Sequence, residues 1–314
     1  MRDEQTCPIS VVIPTIDRGP AIIETVESVL RNGYPNFEII VGDQSNDGRT
    51  RESLAPYIAD GRIRYFSNPR EGVALNRNLG ASRARGEIIA YTDDDCTVPP
   101  DWLEAIARVF RVDERIGMVF GNVLAGPHDH DLGFVQAYIR KDSFTATKAS
   151  QKHLVEGIGA CMAIRRKVWE AVGGFDLGLG AGARFRSAED TDLSLRVLLT
   201  GFHVHETPAI SVAHHGFRAW DQRPAMFRNY LYGLGAMSGK HLRRGNWQVL
   251  SLMLAYAFRW SVTGPVVDLG PRPPRLLRLK AYLSGVVKGA LARSDPAKGM
   301  FRAFSEYRNE APPE

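Results

Sequence analysis

Three aspartates in a row, Asp93, Asp94 and Asp95, stand directly behind the apolar run 86–91. Adjacent like charges repel, and the end of a strand is a poor place to gather them. Either they form a solvated turn or something positive sits among them. Asp43 stands in the same relation to a second apolar run, 37–42. Carboxylates collected where strands end are natural ligands for a hard cation, Mg2+ or Mn2+. Such a cation usually comes with phosphates. The chain carries neither G-x-x-x-x-G-K-[ST] nor G-x-G-x-x-G, which excludes the two common glycine-rich phosphate loops. A metal on a strand-end carboxylate can clamp a diphosphate without them. A further acidic group, Glu189, Asp190 and Asp192, opens a stretch of helical spacing, where acids also favour a first turn for purely structural reasons.

The elements that must position these groups alternate over the first 125 residues. Short β-branched runs at 9–14, 37–42, 62–66, 86–91 and 116–123 read as strands. Stretches at 20–32, 71–85 and 100–110 read as helices, and 50–58 as a helix interrupted near Pro56. Strands without polar alternation, separated by helices, predict a parallel sheet covered on both faces, with ligands at the carboxyl ends of its strands. Further on, 157–175 reads as a strand running into a helix that stops at Gly173-Gly174. The glycine-rich 177–187 is expected to be a mobile loop. Residues 189–201 read as a helix closed by Gly201, and 203–215 as one or two short strands.

Six short patterns now stand in order. They are Pro14-Thr15, D-x-S-x-D-G at 43–48, G-x-x-x-x-R-N-x-G at 72–80, D-D-D with P-D-W-L behind it, G-G-F-D at 173–176, and E-D-T-D-L-x-x-R at 189–196. Together they resemble a family 2 glycosyltransferase of the GT-A fold over roughly residues 8–215. The resemblance implies an α/β nucleotide-sugar-binding fold with a mostly parallel central sheet, followed by a helical C-terminal region. The implied catalytic domain is 1–215, with a donor half of about 1–125 and an acceptor half of about 126–215, and the basic helical region is 216–314.

The resemblance also implies roles. Asp190 matches the base that takes the acceptor proton, and Glu189 a group that positions the acceptor. Asp43 matches the contact to the nucleotide base, with Pro14 and Thr15 lining the same pocket. The family more often has two acids where this chain has Gly42-Asp43, so that contact rests on Asp43 alone. Arg77 and Asn78 match the pair beside the nucleotide, Asp94 the carboxylate near the ribose, and Asp95 the metal ligand, joined by His214 or His215. Asp93 opens the D-x-D pattern and supports its loop. Asp176 borders the acceptor site, where Trp220 is placed to stack on a sugar. The implied reaction moves a hexosyl or related sugar from a nucleoside-diphosphate sugar, a UDP-sugar being favoured, to a saccharide or lipid-linked acceptor hydroxyl, with inversion, in polysaccharide, glycolipid or glycoconjugate synthesis. A retaining transferase on the same fold, or a non-catalytic nucleotide-sugar scaffold, is the alternative.

Formal net charge is +5, unevenly spread: residues 216–314 hold 16 Lys+Arg against 6 Asp+Glu, and the remainder is net acidic. The stretch 274–293 carries Leu276, Leu279, Leu283, Val286 and Leu291 among basic residues. Such a helix lies on an anionic membrane surface, packs on the catalytic domain, or meets a second copy in a homodimer. The run 247–260 is too short to span a bilayer. No nucleic-acid module accompanies the basic tail. Three scattered cysteines and an N-terminus without an apolar core lead to the expectation of a cytoplasmic protein, peripheral at the inner face of the membrane.

Overall fold

The computed structural model describes residues 6–259, 273–295 and 299–301. The end of the run 247–260, at Trp260, and the stretches 261–272 and 302–314 lie outside the described residues. The strands are β1 (Ile9–Thr15), β2 (Phe37–Asp43), β3 (Arg64–Ser67), β4 (Ile88–Tyr91), β5 (Cys96–Thr97), β6 (Ile116–Ala125), β7 (Gly133–Val135), β8 (Phe144–Ala146), β9 (Met162–Arg165), β10 (His203–His214) and β11 (Phe217–Ala219). The helices are α1 (Ile22–Leu30), α2 (Arg49–Ala59), α3 (Val73–Arg83), α4 (Trp102–Val112), α5 (Arg166–Val172), α6 (Glu189–Leu199), α7 (Arg223–Arg243), α8 (Gln248–Phe258) and α9 (Arg275–Leu291).

The main sheet runs β3-β2-β1-β4-β9-β6-β10-β5, with β8 also on β10. β3, β2, β1 and β4 are parallel, as the alternation predicts. β9 departs from that pattern. It enters antiparallel between β4 and β6, and α5, the segment 173–188 and α6 carry the chain from it to β10. β1 is buried along its whole length, and Val11, Ile13, Ile89 and Ile164 are fully enclosed. That explains why these strands are apolar without alternation.

Two local expectations change and a third is narrowed. α2 runs through Pro56 without a break. Pro56 lies on the exposed face, so water can take up the carbonyl its missing N–H leaves free. Residues 203–214 form one strand rather than two, with a register shift between Glu206 and Ser211 around Pro208. The segment 177–187 is not a loose loop. Leu179 and Phe185 are fully buried, and Phe185 N–H donates to the Gly178 carbonyl at 3.0 Å.

Gly42, the departure from the family pattern, has a packing cause. α3 sits so close to β2 that a Cβ there would collide with the Asn76 side chain, whose amide donates to the Gly42 carbonyl at 2.7 Å.

The C-terminal helices are tied to α6 and to the loop after α5 by buried charge. Lys240, on α7, is fully buried and donates to Asp176 at 2.7 Å and to Asp192 of α6 at 2.6 Å. Asp192 also meets Arg196 at 2.8 Å and His241 at 2.9 Å. α9 crosses α7 at backbone contact. A Cβ at Gly235, Gly239, Gly285 or Gly289 would strike a carbonyl oxygen of the opposite helix. This crossing turns the leucines of α9 outward: Leu276 is 76% exposed and Leu291 75%. The helix does not pack on the protein through its leucine stripe.

Candidate active site

The parallel strands β1 and β2 end in register, Thr15 opposite Asp43. β4 ends at Tyr91, and the chain turns through Asp93-Asp94-Asp95 before β5. β5 pairs with β10 so that Cys96 faces His214. Two antiparallel partners more than a hundred residues apart in sequence thus bring His214 to Asp95. The rim they form is one wall of a cavity of about 1130 Å³, lined there by Pro14, Thr15 and the three aspartates. Gly159, Glu189 and Asp190 line it from the other half of the chain.

The repulsion within the acidic turn is answered by protein cations. Asp93 accepts from Arg77 at 2.7 Å. One nitrogen of Arg18, Nη2, donates to Asp94 at 2.7 Å and to Asp95 at 2.9 Å. Burial raises the Asp94 carboxyl despite Arg18. Burial acts the same way on Asp95, but His214 and Arg18 outweigh it and hold that carboxyl below the ordinary range.

His214 Nε2 lies 3.3 Å from the second Asp95 oxygen, while Nδ1 is 3.0 Å from the Gln136 carbonyl. A carbonyl at Nδ1 takes the proton there and turns Nε2 toward Asp95, where it donates to the carboxylate when protonated and offers its lone pair to a cation when not, the usual support for a metal-binding histidine. A Cβ at Gly216 would lie 2.6 Å from both Asp95 Oδ2 and His214 Nε2, so glycine keeps the space between the two ligand atoms clear. Oxygen and imidazole nitrogen suit Mn2+ or a similar cation. Cys96 Sγ is also near, yet burial drives its thiol well above the usual range and away from the thiolate a soft metal needs. His215 points elsewhere, to Thr97 at 3.0 Å.

α6 presents the opposite wall. It starts directly after Ala188, which is buried with φ +73°, and this sharp entry aims Glu189 and Asp190 into the cavity. Asp190 accepts from the Gly159 N–H at 2.9 Å and from its own helix at Thr191 N–H, 2.6 Å. Glu189 accepts from Arg77 at 3.0 Å. Arg77 is 3% exposed and so bridges Asp93 to Glu189 across the two halves of the chain. Lys152, equally buried behind this wall, donates to the Val155 carbonyl at 2.6 Å.

Burial, then the neighbouring Asp190 charge, pushes the Glu189 carboxyl up to about 7 from an ordinary 4.5. The folded state therefore holds the proton more tightly than the unfolded chain. The resulting stability is complete below about 4.5 and is lost as pH rises through about 7. Glu189→Gln should flatten the pH dependence of unfolding over that window by roughly 2–3 kcal/mol. Denaturant melts of both proteins at pH 5 and pH 8 measure this, and parallel curves would refute it.

Four residues expected at the site lie off the cavity wall. Asp43 is 1% exposed and spends its carboxylate on Ser45 and on Tyr65, the latter at 2.7 Å; its neighbour Gln44 lines the cavity instead. Asn78 clamps both backbone groups of Phe175, at 2.8 Å each. Asp176 is fully buried against Lys240 and the Phe301 N–H, so its carboxylate braces the fold and does not reach the cavity. Trp220 stacks on Phe134, ring centroids 5.2 Å apart, and donates to the His130 carbonyl. Arg18 and the Gln136 carbonyl are the groups the sequence reading missed. Arg18 had a signal, standing three residues beyond Thr15 in the exit loop of β1.

A half-parallel sheet with an acidic strand-end turn, a facing histidine and carboxylates on a helix across the cavity is the arrangement of the GT-A fold. Similarity searches agree. The model of "Glycosyl transferase family 2" matches residues 10–173, and the chain belongs to that family. An uncharacterized protein of Sinorhizobium fredii is 31% identical over 240 residues, covering 68% of this chain and 25% of its own length. The glucosyl-dolichyl phosphate glucuronosyltransferase of Haloferax volcanii is 24% identical over 198 residues, 60% of this chain and 63% of its own. The chain thus spans less than two thirds of either relative. Among solved structures, a Pyrobaculum calidifontis mannosyltransferase in complex with GDP-Man and Mn2+ superposes with a TM-score of 0.59 at 20% identity, over 97% of this chain and 82% of its own.

Proposed function

We propose that the chain is a metal-dependent inverting glycosyltransferase using a nucleoside-diphosphate sugar, a UDP-sugar by preference. The observation that carries this reading is the placement of Asp190 across one cavity from Asp95 and His214. Pro14, Thr15, Gln44 and Asp94 receive the nucleoside, and Asp43 supports that pocket through the turn it holds. Asp95 and His214 hold Mn2+ or Mg2+, which when bound supplies Lewis-acid stabilisation of the departing diphosphate. The Gly159 N–H orients the Asp190 carboxylate toward the acceptor. That carboxylate takes the acceptor hydroxyl proton as the oxygen bonds to the anomeric carbon and the bond to the diphosphate breaks. Glu189, pinned by Arg77, positions the acceptor.

The test is turnover of a panel of nucleotide sugars with Mn2+, with the product anomer read by NMR. A retained anomer overturns the inverting assignment. Nucleotide binding without transfer to any saccharide or lipid-linked acceptor would support a scaffold instead.

The outward faces of α8 and α9 support action at an anionic bilayer. Trp247, Leu250, Leu254 and Phe258 form an exposed stripe on α8 beside the leucines of α9. Arg275, Lys280, Lys288 and Arg293 are exposed around them, and no described residue between Asp221 and Asp295 is acidic. Among the described residues no helix is long and apolar enough to cross a membrane, so the contact is interfacial. Reversing Lys280 and Lys288 to Glu should cut sedimentation with phosphatidylserine vesicles by more than about tenfold at low salt, since each basic residue near such a surface contributes about 1 kcal/mol. Equal binding to neutral vesicles, or a concentration-dependent dimer without lipid binding, would refute the membrane assignment.

A further inference from the structure

Arg18 is held differently from the other arginine of the acidic turn. Arg77 is enclosed and uses two nitrogens on two fixed carboxylates. Arg18 reaches both Asp94 and Asp95 with the single nitrogen Nη2, and its side chain is 33% exposed. Its Nε is buried without a hydrogen-bond partner. The backbone on either side is pinned: the Asp17 N–H donates to Ser45 Oγ at 2.8 Å and the Gly19 N–H to Thr50 Oγ1 at 3.0 Å. The guanidinium can therefore leave the carboxylates by side-chain rotation alone, without disturbing β1 or its exit loop.

The oxygen it holds is the one the metal reading needs. Arg18 contacts Asp95 Oδ2, and that atom with His214 Nε2 borders the space kept clear by Gly216. A divalent cation there and a guanidinium on the same carboxylate repel strongly at such short range. One has to yield. The released arginine would then stand at the donor wall, where a diphosphate offers it a bidentate anionic partner.

We propose that Arg18 is a built-in counter-cation for the donor site. It neutralises Asp94 and Asp95 until a divalent ion displaces it, and it then pairs with the diphosphate of the incoming donor. The proposal rests on the metal reading of Asp95 and His214. Its consequence is linkage: the nucleotide promotes metal binding, and the metal promotes nucleotide binding, partly through one side chain that the metal displaces and the diphosphate receives.

The experiment titrates Mn2+ into the full chain, followed by electron paramagnetic resonance of the free ion, with and without UDP. Wild type, Arg18→Ala, Arg18→Gln and Asp95→Asn are compared. Without UDP, both Arg18 variants should bind Mn2+ about tenfold more tightly than wild type, since the competing positive charge is gone. Their gain in Mn2+ affinity on adding UDP should be smaller than that of wild type. At saturating Mn2+ they should bind UDP about tenfold more weakly. Arg18→Gln keeps an amide donor for the two carboxylates, so it tests the charge even if Arg18→Ala is too unstable to titrate. Unchanged or weaker Mn2+ binding in the Arg18 variants overturns the proposal. If wild type and the Arg18 variants all fail to bind Mn2+, or Asp95→Asn binds it as wild type does, the metal reading itself falls, and the proposal with it.

Discussion

Asp190→Asn should lower kcat by about 10²–10⁴-fold, the usual contribution of a positioned proton acceptor, with nucleotide and Mn2+ affinities unchanged. The substitution is nearly isosteric. Its amide oxygen can still accept from the Gly159 N–H, now 2.9 Å from the carboxylate, and the cost in the wall of the cavity is the bond from the Thr191 N–H to the second oxygen. What it loses is basicity toward the acceptor hydroxyl. Asp190 is the carboxylate at this wall without a cationic side chain bonded to it among the described residues; its neighbour Glu189 is engaged by Arg77 at 3.0 Å. A base must be free to take a proton and a positioning group must not, and the two adjacent acids differ in that respect. Glu189→Gln should therefore cost less in kcat and more in acceptor KM. Steady-state rates with acceptor and donor varied separately decide this. Near-normal transfer by Asp190→Asn would remove it as the base, and a larger loss in Glu189→Gln would exchange the two roles.

The groups that could be read in the sequence are those whose type and local position coincide. Asp93 to Asp95 follow an apolar strand, and Glu189 and Asp190 open a helix, so both clusters were visible as strand-end or helix-start acids. The parallel sheet was legible from β1, β2 and β4, whose apolar runs are buried on both faces, whereas β3 at the sheet edge is only half-buried. What local sequence does not carry is the partner of a long side chain. Arg18 finds Asp94 and Asp95 76 and 77 residues away. Asp176 sits in a pattern that suggests an acceptor loop, yet Lys240, 64 residues further on, turns its carboxylate inward. The leucine stripe of α9 was legible as amphipathic, but its direction was not. Direction was decided by glycines on the other side, because a backbone-to-backbone crossing with α7 is available only there.

The buried cluster around Lys240 carries the largest expected effect on stability. Lys240→Met should cost about 3–5 kcal/mol, since removing one partner strands the charges of the others in a dry interior. Lys240, Asp176 and Asp192 are all fully buried, and Lys240 contacts both acids. Methionine fills much the same volume, so the loss reads out charge and not a cavity. Burial would raise the Asp192 carboxyl, but Lys240, Arg196 and His241 together depress it well below its ordinary 3.8. A depressed carboxyl contributes stability above 3.8 that is lost as pH falls further. Lys240→Met weakens that depression, and its acid unfolding should begin at higher pH than in wild type. Asp192 lies on α6 two residues after Asp190, so the same change loosens the helix that aims the proposed base. Denaturant unfolding at pH 7 and acid titration measure the two effects. A cost below about 1 kcal/mol would mean that the cluster is no more than break-even in stability. In that case α7 is held by its apolar contacts, Phe227, Leu231 and Leu234, and the position of Asp190 does not depend on the C-terminal helices through charge.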